Sequence, residues 1–289
     1  MTASYKYLLA GIIMISAFVA CQKNDLDIYA PESANNEMKL FNCSRFKYSD
    51  SIFFLQSGVS DYIVNPVNSL NGGTFGALPQ GLSINSTTGA INVSESETGL
   101  RYKVFFTKNN STDTCFKYVI ISGINYLDSV YVLNGNNTFA TPIYNANLND
   151  TLPCSSGDDD DGDDDDCEFD DGDDDDYPDS EPPQGEELIP QGIAISKLNG
   201  RINLKKTVEN GTFGTIPVNG AYKDVTLYYR IGDGSNLSLN KMDIRFYYFA
   251  TMADVPAELL EEMQDKLDIT YVLGKTTKNR PPYIVIVGG

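Results

Sequence analysis

No histidine and no tryptophan occur anywhere in the 289 residues. Without histidine, Ser-His-Asp and Cys-His nucleophilic catalysis are excluded, and so is the commonest metal ligand. Without tryptophan, the Cys-Trp-Cys core of antibody domains is excluded. Cations are scarce: 21 Lys and Arg stand against 40 Asp and Glu, for a formal net charge of −19. The sequence shows no run of basic residues to offset phosphate charge, so nucleic acid is not expected as a partner. The apolar run at residues 7–20 has 14 residues, and a membrane-spanning helix needs about 20.

The acidity itself is local. Residues 158–187 hold 19 acidic side chains and no basic one, so the rest of the chain carries 40 − 19 = 21 acidic against 21 basic residues. Within 158–176 alone there are fifteen acidic residues, interrupted by Gly162, Cys167, Phe169 and Gly172. Carboxylates at this density repel one another, and cations relieve the repulsion. Hard oxygen donors suit Ca²⁺, with Asp159, Asp161, Asp163, Asp171, Asp173 and Asp175 as the candidate ligands. EF-hand spacing is not met, because aligning Gly172 on the invariant glycine puts Cys167 and Phe169 at ligand positions. The alternative is a solvated acidic loop, inserted at 155–187, that takes no part in folding. No other cofactor is expected.

An internal repeat sets the architecture. Pro79-Gln80-Gly81-Leu82-Ser83-Ile84 returns as Pro190-Gln191-Gly192-Ile193-Ala194-Ile195, and Gly89-Ala90-Ile91-Asn92 as Gly200-Arg201-Ile202-Asn203. Every pair is 111 residues apart, a domain-sized period. In each copy apolar residues alternate at period two around a turn that ends in glycine, which predicts a β-hairpin. Further strands are expected at 102–107 and 116–122 in the first copy and at 225–231 and 242–249 in the second. One amphipathic helix of about three turns is expected from Asp254 as N-cap, with Leu259, Leu260, Met263 and Leu267 on one face. Closing strands are expected at 269–273 and 284–287. The fold class is therefore mainly β: two antiparallel sandwiches with one short helix in the second.

These residues resemble two known patterns. Leu-Pro-x-Gly-Leu-x-Ile-x-x-x-x-Gly-x-Ile, from Leu78 to Ile91 and from Ile189 to Ile202, is similar to the signature of Ig- and cadherin-like modules of bacterial surface proteins. The resemblance implies an Ig-like domain at 39–127 and a second at 128–289. Phe18-Val19-Ala20-Cys21, after a basic residue and an apolar run, resembles a bacterial lipobox. It implies a signal at 1–20, lipidation of Cys21 and a flexible tether at 21–38. The acidic stretch after Cys21 looks like the export tether of Bacteroidetes lipoproteins, which implies a lipid-anchored protein of the outer membrane, facing outward. Asp50-Ser51-Ile52, Asp128-Ser129-Val130 and Asp150-Thr151-Leu152 resemble O-glycosylation acceptor motifs of the same group.

Four cysteines remain for disulfides, Cys43, Cys115, Cys154 and Cys167, with three connectivities open. Cys43–Cys115 and Cys154–Cys167 keep each bond within one domain. Neighbours in Tyr228-Tyr229 and Tyr247-Tyr248 must point to opposite faces of a strand, so one of each pair is expected outward. Two function classes follow. One is a non-catalytic surface lipoprotein whose modules bind, space or adhere, with a glycan or a surface protein as partner. A glycan-binding accessory of polysaccharide utilisation is one form of it. The other is a carboxylate-based glycoside hydrolase, for which no nucleophile–base constellation stands out.

Overall fold

A computed structural model describes residues 43–154, 167–170, 182–272 and 280–288. Cys21, the signal, the tether and the six candidate Ca²⁺ ligands lie outside the described residues. Among the described residues no group of three acidic or cysteine side chains is placed to hold a metal.

The first half contributes β1 (Ile52–Phe53), β2 (Ile63–Val64), β3 (Gly73–Leu78), β4 (Ser83–Ile84), β5 (Ile91–Asn92), β6 (Leu100–Lys108) and β7 (Thr114–Ile121). One sheet runs β1-β7-β6-β3, and a smaller one runs β2-β5-β4. Alternation along β6 buries Leu100, Tyr102, Val104 and Phe106 and turns Arg101, Lys103 and Phe105 outward. Val64 and Ile91 of the small sheet share a core with Val104, Phe106 and Ile121 of the larger one, so the two sheets form a sandwich. Cys43 is disulfide-bonded to Cys115 at its edge.

The second half holds β8 (Ile124–Asn125), β9 (Ser129–Val132), β10 (Phe139–Ala140), β11 (Ile143–Tyr144), β12 (Cys167–Phe169), β13 (Ile202–Asn203), β14 (Ala221–Ile231), β15 (Asn240–Phe249) and β16 (Tyr283–Val287). Two helices accompany them, α1 (Leu204–Glu209) and α2 (Ala257–Val272). The main sheet runs β12-β14-β15-β16-β9. Its inner face buries Leu227, Tyr229, Ile244 and Phe246 against Leu188, Ile193, Ile202 and Leu204.

The repeat is visible in hydrogen bonds. Asn85 N–H donates to Ala90 O at 2.8 Å, and Ser196 N–H to Arg201 O at 2.9 Å. Gly89 and Gly200 close these turns at φ +74° and +65°, values that glycine reaches without a side-chain clash. Phe75 N–H donates to Ser86 O and Phe169 N–H to Lys197 O, both at 2.8 Å. The Tyr48 hydroxyl donates to Gly89 O, and the Tyr126 hydroxyl to Gly200 O.

The halves differ by one insertion. In the first, β1 pairs in parallel directly with β7. In the second, β16 lies between β15 and β9, parallel to both, and α2 makes the crossover that a parallel pair requires. The expected antiparallel pattern therefore holds for the hairpins and not for these edges. The helix is also longer than expected. Residues 269–272 extend α2 where a strand was expected, because the helix continues from Pro256 without a break. The Asp254 carboxylate does not cap α2: it accepts the Thr251 N–H at 2.9 Å and hydroxyl at 2.7 Å, closing a preceding 3₁₀ turn. Leu259 and Met263 are buried as expected, over Tyr283, Val285 and Val287. Helix α1 was not expected; the Asn203 side chain caps it by accepting Lys206 N–H.

The acidic insertion needs a larger correction. Cys167–Phe169 is an edge strand paired with β14, and Phe169 is fully buried. Asp170 is also buried, and its carboxylate accepts the Leu188 and Ile189 N–H groups. A segment read as a solvated loop thus supplies core. Cys154 is bonded to Cys167 beside it.

Candidate functional site

Helix α2 covers the outward face of β16, which leaves the outward face of β14 and β15 open. On that face the register sets Tyr222 opposite Tyr247, Asp224 opposite Arg245, Thr226 opposite Asp243, and Tyr228 opposite Lys241. Tyr229, the neighbour of Tyr228, is fully buried on the other side, so the expected outward–inward split holds for that pair. Tyr248 points inward against Phe213, and Tyr247 outward towards Tyr222 and Tyr283.

Arg245 is the centre of the arrangement. Its Nε and Nη2 bind Asp224 Oδ1 at 2.5 Å and Oδ2 at 2.7 Å, a bidentate fork. The guanidinium lies 4.9 Å from the Tyr222 ring centroid, 5.9 Å from Tyr247 and 5.8 Å from Tyr283. The Tyr222 and Tyr247 rings are 6.0 Å apart, and Tyr222 is 61% exposed. Asp224 holds the Arg245 basicity well above arginine's ordinary value. Arg280 stacks on Tyr283 at 3.7 Å while binding Asp128 and Glu262. The tyrosine face is therefore tied to β16 and α2 by charge as well as by packing.

Two grooves flank this face, of about 490 and 950 Å³, sharing Glu186, Thr226, Asp243 and Pro281. The larger reaches the first half at Ser94, Glu95 and Glu97. Partial burial, then Glu186, pushes the Tyr228 hydroxyl up to about 12. The Thr226 hydroxyl donates to Asp243 at 2.7 Å. Two of the lining carboxylates are thus held by partners, Asp224 by Arg245 and Asp243 by Thr226, while Glu95, Glu97 and Glu186 also line the larger groove.

Of the Asp-Ser/Thr motifs, Asp128 is buried and accepts Tyr283 N–H at 3.0 Å, while Asp50 accepts the exposed Ser51 N–H. The tyrosine pairs stand out in the sequence, and Arg245 and Asp224 do not. The available signal was Arg245 two residues before Tyr247, hence on the same strand face.

No family model matches the chain, and no curated protein matches it. Among solved structures it is similar to a SusE-like, surface-located polysaccharide-binding protein from the Bacteroides thetaiotaomicron heparin utilisation locus. That similarity has 10% identity and a TM-score of 0.24, over 73% of this chain and 35% of that one. The chain thus spans about a third of the length of that protein. It is also similar to the first two cadherin repeats of human protocadherin-24, with 8% identity and a TM-score of 0.20, over 68% and 91% of the two chains.

Proposed function

We propose that this is a non-catalytic surface protein that binds a saccharide along the outward face of β14 and β15. The carrying observation is the pair of tyrosines, Tyr222 and Tyr247, flanking the Arg245–Asp224 fork. Sugar rings present apolar C–H faces that pack on aromatic rings, and hydroxyls that bond to oriented charged groups. A preformed fork orders its donors before the ligand arrives, which lowers the cost of binding. The open groove suits a chain passing through.

Engaged carboxylates favour binding over hydrolysis. A retaining or inverting glycosidase needs one carboxylic acid held protonated and a second free to attack or to activate water. Both oxygens of Asp224 are engaged by Arg245, which leaves neither turned to a substrate. In this reading Cys21 carries the lipid anchor and the chain faces outward from the cell. In the same reading the chain is two Ig-like modules, at 39–127 and 128–289.

A glycan array probed with the purified protein tests the proposal. A hit should weaken about tenfold or more in Tyr222→Ala, the loss expected for one buried aromatic contact. Binding that is indifferent to Tyr222→Ala and Tyr247→Ala, or no saccharide bound at all, overturns it.

A further inference from the structure

We infer that the outward face of β6 and β7 is a second, separate site, and that its ligand is an anionic saccharide chain. Between residues 43 and 127 there are six basic side chains, Arg45, Lys47, Arg101, Lys103, Lys108 and Lys117, against five acidic ones. Four of the six lie on β6 and β7, with Arg101 and Lys103 at outward positions and Lys108 and Lys117 at inward-parity positions, and no acidic residue lies on either strand. Charge is therefore segregated within a half that is nearly neutral as a whole.

The register sets the two outward cations, Arg101 and Lys103, beside aromatic rings. Arg101 faces Ile120, Lys103 faces Tyr118, and Phe105 faces Phe116 across the strand pair. Each cation reaches diagonally to the next ring: the Arg101 guanidinium lies 4.6 Å from the Tyr118 centroid, and Lys103 Nζ 4.5 Å from that of Phe116. Phe116 is 46% exposed in the middle of a strand. On the neighbouring β3, Gly76 stands opposite Phe105, and a Cβ there would fall 2.5 Å from the Phe105 ring. The absent side chain lets that ring lie across β3 and widens the aromatic surface.

Arg101 and Lys103 have no ion-pair partner among the described residues. This separates the site from the β14–β15 face, where Asp224 neutralises Arg245. Rings offer contact to a sugar's C–H face, and unpaired cations beside them match a carboxylate or sulfate on the same sugar. The chain's overall charge does not forbid this, because screening over about 8 Å at physiological salt leaves the local face in control. The bland account is that the two cations simply shield the exposed rings from water.

Affinity electrophoresis of the full chain separates the accounts, using gels that contain polygalacturonate, dextran sulfate or neutral dextran. Retardation is expected with one or both anionic polymers, but not with dextran, and it should weaken as salt rises. The two anionic gels tell carboxylate from sulfate. Arg101→Gln with Lys103→Gln should weaken binding about tenfold or more, and Phe116→Ala should act in the same direction. The charge-preserving exchange Arg101→Lys with Lys103→Arg should retain binding and exclude misfolding as the cause. Retardation that is lost in Tyr222→Ala and kept in the double Gln variant assigns the polymer to the β14–β15 face and overturns this inference, so the two sites fail distinguishably. The inference is overturned by no retardation in either anionic gel at low salt, or by retardation that survives the double Gln variant. It is also overturned if phosphatidylcholine–phosphatidylglycerol vesicles capture the protein through Arg101 and Lys103 when neither polymer does.

Discussion

The hydroxyl of Tyr229 accepts the backbone N–H of Ile124 at 3.1 Å, a bond across 105 residues that joins the second sheet to the link between the two cores. Thr98 Oγ1 lies 3.2 Å from the same hydroxyl, and the Ser122 hydroxyl donates to Asp233 at 2.6 Å nearby. Ser57 N–H donates to Ser238 Oγ at 2.8 Å on the far side of the link. Thr98, Ser122 and Ser57 of the first half are thus hydrogen-bonded to Tyr229, Asp233 and Ser238 of the second. Tyr229→Phe leaves the Ile124 N–H without its acceptor and should cost about 1–3 kcal/mol in denaturant unfolding. Tyr228→Phe, one residue away on the open face, should stay within about 0.5 kcal/mol. Equal losses in the two variants would show that the link is not held this way.

The turn glycines should differ in cost according to what stands over them. A Cβ at Gly89 would lie 2.6 Å from the Phe75 ring, and one at Gly200 would lie 2.6 Å from the Phe169 ring. Both rings are buried and cannot swing aside. Gly220 has a similar φ of +79° with nothing within 4 Å of its Cβ position. Gly220→Ala should cost about 1–2 kcal/mol for backbone conformation alone. Gly89→Ala and Gly200→Ala should cost about 2–5 kcal/mol, because overpacking adds to that backbone cost. Thermal melts of the three variants check the ranking.

Stability should be flat across neutral pH and fall in alkali. No histidine is present to titrate between the carboxylate range and the tyrosines. Burial raises Tyr102 and Tyr126 well above the ordinary value of 10.0 and pushes Tyr229 up to about 12. A folded value above the unfolded one means the unfolded chain loses its protons first. The stabilisation is then complete below pH 10 and is lost as pH rises from there towards 12 and beyond. Phenolate absorbance, free of tryptophan here, should rise partially and then in one step that coincides with loss of the far-ultraviolet strand signal. A smooth titration of every tyrosine in the folded protein would contradict the burial of these three.

The hairpins were legible because their signals are local: alternation at period two and a glycine at the end of each turn, all within about ten residues. Residues 269–272 misled because Ile269, Thr270, Tyr271 and Val272 favour strands intrinsically, a weak preference beside propagation of a helix already started. The site was half legible. Alternation alone sends Tyr228 outward, but the Arg245–Asp224 fork joins residues 21 apart and needs the β14–β15 register. Arg101 and Lys103 hide for a related reason, since alternation separates them in sequence while gathering them on one face. Gly73-Thr74-Phe75-Gly76 recurs in sequence at Gly211-Thr212-Phe213-Gly214, but in the fold Phe169 takes the place of Phe75.

That substitution carries the last prediction. The Phe169 ring packs on the turn glycine Gly200 and stacks with Tyr229 at 5.9 Å, at the centre of the second core. Its strand, β12, forms the edge of the main sheet beside β14. Surrounding acidity does not change what burial of one phenyl ring is worth. Phe169→Ala should cost about 3–5 kcal/mol, as other large-to-small core changes do, and should match Phe75→Ala in the first core. Deleting residues 158–176 removes the ring, the strand, Cys167 and the Asp170 carboxylate that satisfies Leu188 and Ile189 N–H. Its loss should exceed that of Phe169→Ala and should not be restored by salt, because screening removes repulsion and cannot supply missing core. Calorimetric scans of the two Phe→Ala variants and the deletion, at low and high salt, decide the matter. A deletion that melts with the intact protein would return residues 158–176 to the role of a dispensable acidic loop.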